Sequence, residues 1–300
     1  MKALWQRLRE QAKQLGERNP ILGRYGQDRV LAHVSFETAL AASLARQLQS
    51  HAPEADLASW FGSVLQAHPE IAESAASDID HLVIVNPACP DHLTAFLTFR
   101  GIQAVQAYRI AHALWNDGDL QSAVLLQNWA ANTWAIDIHP AARLGKRLFV
   151  DHGMGLVIGE TAVVEDDVSL WHGVTLGSTL SEAGDRHPKI RRGALICAGA
   201  TVLGNIEVGE RAIVAAGAVV LKPVEARQPK SLAGRRIHWR PSPANLRSDS
   251  GSNRIWLPSP SFHKASIIRW SLSVITPPRL SCIVGWASRR RRSAITRGVA

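Results

Sequence analysis

The chain has 300 residues, room for one or two domains with full cores. Its net charge of +9 is unevenly held: residues 234–300 carry 13 Lys/Arg and one acid, which leaves 21 bases against 24 acids in residues 1–233, so the basic balance gives no argument for nucleic-acid binding by the first 233 residues. No apolar run reaches the roughly 18 residues a membrane-spanning helix needs, the start Met1–Glu10 carries charges where a secretory signal has apolar residues, and Cys89, Cys197 and Cys282 show no paired spacing, so a reducing cytoplasm is expected. Residues 1–135 read as helices, with segments near 3–15, 27–50 and 54–76. Asn86-Pro87-Ala88-Cys89-Pro90 is a rigid break, because proline lacks the amide donor and restrains its predecessor. Ala104, Ala107, Tyr108, Ala111, Leu114 and Trp115 then fall on one face of a helix, and Asn116–Asp119 makes a turn that caps the next helix, which runs to about Trp134.

From Ile138 the period changes to six. Ile138, Leu144 and Val150 are followed, after a slip of two near 156, by Ile158, Val164, Leu170 and Leu176. After a break come Ile190, Ile196, Val202, Val208, Val214 and Val220. Four residues beyond each of these stand Ala194, Ala200, Ile206, Ala212, Ala218 and Val224, mostly small. Neither a helix (period 3.6) nor a lone strand (period 2) has this beat. Six residues make one flat side of a parallel β-helix, three sides close a turn, and the aliphatic residue stacks on its copies above and below. The beats predict about four turns, each advancing about 4.8 Å. The segment Gly177–Lys189 interrupts the beat and is expected to be extruded as a loop.

Asp137 and His152 lie 15 residues apart, close to one turn of about 18, so they can approach across adjacent coils. A carboxylate on one imidazole nitrogen fixes the tautomer and raises the basicity of the other, which suits His152 as a base for a hydroxyl. The same spacing is also that of a structural hydrogen bond. Arg186 and His187 on the loop can clamp a carboxylate, or simply face solvent. His139, His152 and His172 could be pictured as a zinc triad, but no HxxxH-type pair supports it and no metal is assigned.

The segments Gly101–Asn116, Ala135–Ala142, Ile158–Ala162, Val174–Gly177, Gly184–Ile190 and Gly204–Gly209 together resemble bacterial serine O-acetyltransferases of the hexapeptide-repeat type, over roughly residues 3–233. The resemblance implies an α+β fold: an N-terminal all-helical domain that oligomerises (1–135), then a left-handed parallel β-helix that carries catalysis (136–233). It implies acetyl transfer from acetyl-CoA to L-serine, the first step of cysteine biosynthesis, with inhibition by cysteine at the serine site. His152 would be the base and Asp137 its partner, Asp151 would meet the serine ammonium, and Arg186 and His187 the carboxylate. CoA would run past Gly177, Ala198 and Ala216, between subunits of a trimer or of a dimer of trimers. Another acceptor, such as a sugar or homoserine, is the alternative, or a catalytically impaired homologue.

Four departures stand out. Asn86-Pro87 replaces the family's common Asp-Pro, removing one carboxylate near the amino group. Ser178 replaces a glycine after Gly177, and Gly153-Met154 replaces Ala-Thr after the base. After Leu232-Ala233-Gly234 the family segment that closes the coil is missing, and residues 234–300 form a basic tail rich in Trp, Ser and Pro, expected to be disordered and consistent with a shifted reading frame; the rival reading is a basic RNA- or membrane-binding tail through Arg289–Arg292. The family's partnership with cysteine synthase uses a terminal isoleucine, and the ending Gly298-Val299-Ala300 argues against it here.

Overall fold

The structure, a computed structural model, describes residues 1–179 and 183–227. The basic tail, Cys282, Arg289–Arg292 and residues 180–182 of the interrupting loop lie outside the described residues.

Eight α-helices come first: α1 (Lys2–Arg18), α2 (Pro20–Gly26), α3 (Phe36–Leu48), α4 (Leu57–Ala67), α5 (Glu70–Val85), α6 (His92–Thr98), α7 (Arg100–Asn116) and α8 (Leu120–Trp134). Polar caps set most of their starts. The side chains of Asn19, Ser35, Asp56, Asp91 and Asp119 accept from the first-turn amides of α2, α3, α4, α6 and α8, donors that the helix itself leaves unmet. Two of the segments expected from periodicity divide. A π-helical stretch (Gln27–Leu31) precedes a break before α3, and Pro69 separates α4 from α5.

The helix expected to show one apolar face, α7, is instead buried on nearly all sides from Gly101 to Ala111. Its polar residues are satisfied inside. Gln103 donates to the Leu97 carbonyl and accepts from Trp134 Nε1, at 3.1 Å each. Gln106 donates to Asp78 Oδ2 at 3.0 Å, and Arg109 pairs with the same carboxylate. The group also ties the helices to the coil: Asp78 Oδ1 accepts from Leu148 N at 3.1 Å, and Arg109 donates to the Gly145 carbonyl at 2.8 Å.

Among the described residues the coil has thirteen short parallel strands in three sheets. One sheet holds β1 (Ile136–Ile138), β4 (Leu156–Ile158), β7 (Thr175–Gly177), β10 (Thr201–Leu203) and β13 (Val219–Val220). A second holds β2 (Arg143–Leu144), β5 (Val163–Val164), β8 (Lys189–Ile190) and β11 (Glu207–Val208), and a third holds β3 (Phe149–Asp151), β6 (Ser169–Trp171), β9 (Leu195–Ile196) and β12 (Ile213–Val214). This is the left-handed parallel β-helix. Register aligns the inward residues into three columns: Ile138-Ile158-Leu176-Val202-Val220, Leu144-Val164-Ile190-Val208 and Val150-Leu170-Ile196-Val214. Each buried aliphatic contributes about 1.5–3 kcal/mol. Ala142, Ala162, Ala194, Ala200 and Ala212 fill the tight corners, all at most 2% exposed.

The turns are unequal. Partners in the lower coils are 18 residues apart (Leu195 with Ile213), those of the first turn 20 (Phe149 with Ser169), and those spanning the loop 26 (Ser169 with Leu195). The slip of two in the sequence beat is therefore a two-residue bulge at one corner, between β3 and β4.

Candidate active site

That bulge contains His152. Below it the corner is a regular ladder. Gly173 N donates to the Met154 carbonyl at 2.8 Å, Gly199 N to that of His172 at 2.9 Å, and Gly217 N to that of Ala198 at 2.8 Å. Met154, His172, Ala198 and Ala216 thus form one column, roughly 4.8 Å per step. The neighbouring column is Gly155, Gly173, Gly199 and Gly217, with φ of 76°, 69°, 67° and 68°. Only glycine takes this left-handed turn without a Cβ penalty, so the corner stays narrow and its carbonyls stay in line. The residues expected to meet CoA, Ala198 and Ala216, are in register on this column. Gly177 is not: it ends β7 at the opposite edge of its sheet, where its carbonyl accepts from Gly204 N at 3.0 Å.

His152 itself has φ 53°, an uncommon conformation for a non-glycine residue and one that concentrates at functional positions. Its side chain is 70% exposed, and Nε2 lies 3.7 Å from Asp151 Oδ1. The His172 ring stands edge-on to it with centroids 6.1 Å apart. A cavity of about 430 Å³ opens beside His152, lined also by Thr98, Phe99, Arg100, Gly101 and Met154. The carboxylate near His152 is thus Asp151. Asp137, at the centre of β1, is held by Gln127 of α8, whose amide donates to Oδ1 at 2.7 Å. Among the described residues no hydrogen bond joins Asp137 to His152.

Arg186 and His187 form their own cluster at the far edge of the first sheet. Thr161 is its centre, with Oγ1 accepting from Arg186 N at 3.0 Å and from His187 N at 3.1 Å. The Thr161 amide donates to His187 Nδ1 at 3.2 Å, which leaves the ring proton on Nε2. Burial and then the Arg186 charge hold the His187 imidazole below its ordinary pKa, so it stays a neutral donor. Its ring lies where a Cβ on Gly159 would sit, so a side chain at Gly159 would displace it. Arg186 binds Glu160 Oε2 at 2.5 Å, and this bond holds the Glu160 carboxyl below its usual range. His152 precedes β4 whereas Glu160 and Thr161 follow it, so the width of a three-residue strand, about 10 Å, separates base from clamp.

Asn86 caps the C-terminus of α5, and its Oδ1 accepts from Ala88 N at 3.0 Å. His139 packs edge-on against Trp115 and accepts from Ala141 N at 3.1 Å. Sequence reasoning missed Gln127, Thr161, Glu160 and Arg100. Glu160-Thr161 had a signal, a polar pair on a corner where the lower coils are plainer. Gln127 and Arg100 had none, because only packing brings helix and coil together.

A β-helix of hexapeptides, with a histidine lifted out of one corner above a groove of small residues, defines an acyltransferase of the hexapeptide-repeat class. The comparisons narrow this. The family described as "Serine acetyltransferase, N-terminal" matches residues 4–107, and "Bacterial transferase hexapeptide (six repeats)" matches 187–222. A putative serine acetyltransferase of Schizosaccharomyces pombe is 50% identical over 215 residues, 71% of this chain and 80% of its own length. The structure of serine acetyltransferase in complex with coenzyme A from Brucella abortus is 42% identical with a TM-score of 0.73, over 75% of this chain and 91% of that one. That of soybean serine acetyltransferase complexed with serine is 40% identical with a TM-score of 0.70, over 75% and 93%. The chain belongs to the serine acetyltransferase family, whose relatives here span bacteria, plants and fungi.

Proposed function

We infer that the chain transfers acetyl from acetyl-CoA to the hydroxyl of L-serine, giving O-acetylserine and CoA. The observation that carries this reading is the corner column: a bulged histidine above Ala198 and Ala216 in register, with backbone carbonyls and glycines forming a narrow track for an extended acyl donor. In the proposed mechanism the serine hydroxyl attacks the thioester carbonyl while His152 takes its proton. The C–O bond forms, the C–S bond breaks, and the proton passes from His152 to the departing sulfur. Asp151, beside His152, offers its charge to the serine ammonium. Asp137 acts through the base, orienting it once substrate closes the site.

Arg186 and His187 hold the serine carboxylate, the first by a charged fork and the second by a neutral N–H. Because base and clamp stand on different edges of one coil, we propose that a neighbouring copy supplies the clamp, which favours a trimer of coils, paired through the helical domain. CoA runs down the groove between copies, along Ala198 and Ala216, with Gly177 on the facing edge. This reading also takes the protein as a cytoplasmic enzyme of cysteine biosynthesis, open to cysteine at the serine site. No helix among the described residues is long and apolar enough to cross a membrane.

The test is CoA release from acetyl-CoA with L-serine, beside L-homoserine, a galactoside and no acceptor. Release that depends on serine is expected. Equal release with every acceptor, or none with any, would overturn the reading.

A further inference from the structure

Arg100 is the first residue of α7, and it lines the same cavity as His152. Its guanidinium reaches Met154 Sδ at 3.3 Å, a weak acceptor that leaves most of its donors unspent. Among the described residues no carboxylate pairs with it. Arg186, by contrast, is already bound to Glu160. The position of Arg100 is also fixed: a Cβ on Gly101 would meet the Val150 carbonyl, so the start of α7 lies directly against the strand that delivers His152.

The cavity and the corner column meet at Met154, and the cavity is walled by Thr98–Gly101 at the start of α7, residues that the column does not touch. The column descends through His172, Ala198 and Ala216 and, on the functional reading above, takes the acyl donor. The cavity lies on the helical side and is free for the acceptor. It is lined by the base, Phe99, Met154 and a cation, Arg100, that has no carboxylate partner among the described residues.

We propose that Arg100 binds the carboxylate of the acceptor and so selects an α-amino acid over a plain alcohol. This rests on the reading of the chain as an acetyltransferase with His152 as base. A carboxylate has about four acceptor positions, so Arg100 can share it with the clamp from a neighbouring copy. The planar fork suits this task better than a lysine would.

The experiment compares Arg100→Gln and Arg100→Lys with the parent enzyme, using L-serine and L-serinamide as acceptors. Arg100→Gln is expected to raise the serine KM by about ten-fold or more, the effect of losing a charged hydrogen bond. It should leave the acetyl-CoA KM unchanged and penalise serinamide little, and Arg100→Lys should recover part of the loss. Equal penalties on both acceptors would make the role structural and overturn the proposal. So would a raised acetyl-CoA KM that vanishes with 3′-dephospho-acetyl-CoA, since the cation would then serve a phosphate. A parent enzyme that releases CoA without regard to acceptor sinks the functional reading itself, whatever the variants do.

Discussion

The helical region and the coil solve burial in opposite ways. In the coil each hexapeptide meets its own copy one turn away, and its core is three aliphatic columns with polar side chains kept on the outer face. In the helical region α7 runs through the middle with Gln103, Gln106 and Arg109 buried, and Asp78 from α5 completes the group. The first design spreads stability over many equal steps. The second packs an irregular apolar core around a few buried polar contacts that also fasten helix to coil. The side chains proposed to carry the function stand where the two regions meet and where the repeat is broken.

The largest expected effect tests whether the broken corner serves chemistry rather than stability. His152→Ala should lower kcat by about 100-fold or more. His152→Gly should do the same while holding or raising the melting temperature, because glycine takes the φ of 53° without strain. A glycine variant that melts well below the parent would mean that His152 is there for the fold.

Next comes the polar fastening. Asp78→Ala strands the Arg109 charge, 8% exposed, and should destabilise by about 3–5 kcal/mol in urea unfolding. Asp167→Ala, which removes the half-exposed partner of Arg147, should cost no more than about 1 kcal/mol. Similar losses from both would erase the contrast between buried and surface pairs. Within the coil, Ile196→Ala opens one step of an inner column and should cost about 2–5 kcal/mol. Calorimetry should still show one transition if the steps are cooperative with the helices.

The smallest effect is on pH. Burial holds His187 and His139 below the ordinary imidazole value of 6.5, so the unfolded chain binds more protons in the window just beneath it. Their contribution to stability is complete above pH 6.5 and falls as pH drops through that value toward the folded pKa. Melting temperatures from pH 8 to 5 should therefore decline, and less steeply in His187→Asn. An equal slope in that variant would remove His187 from the account.

Much of the coil was legible from the beat alone. The inward residues read from the period are the ones that stack, and the slip near 156 marks the corner that holds His152. Legibility ended where contacts ceased to be periodic. The approach of Asp137 to His152, inferred from their separation, appears in the structure as a bond from Gln127 to Asp137 and a nearer Asp151 at His152. The slip had added two residues to that turn, and α8 packs alongside. Ala198 and Ala216 share a column, whereas Gly177 faces a different edge, a distinction set by register rather than by motif.

What the sequence by itself determined is the repeat: its period, the inward aliphatics, the small corner residues and the extruded loop with Arg186 and His187. These are local, since every turn of the coil imposes the same steric demands on its six-residue sides. Tertiary structure alone decided which charged residues already have a carboxylate partner and which do not. Arg186 is tied to Glu160 and Arg109 to Asp78, while Arg100 faces the cavity of His152. All three are arginines in the chain, and they differ only in what the fold places within about 3 Å of the guanidinium, the range over which a charged hydrogen bond forms.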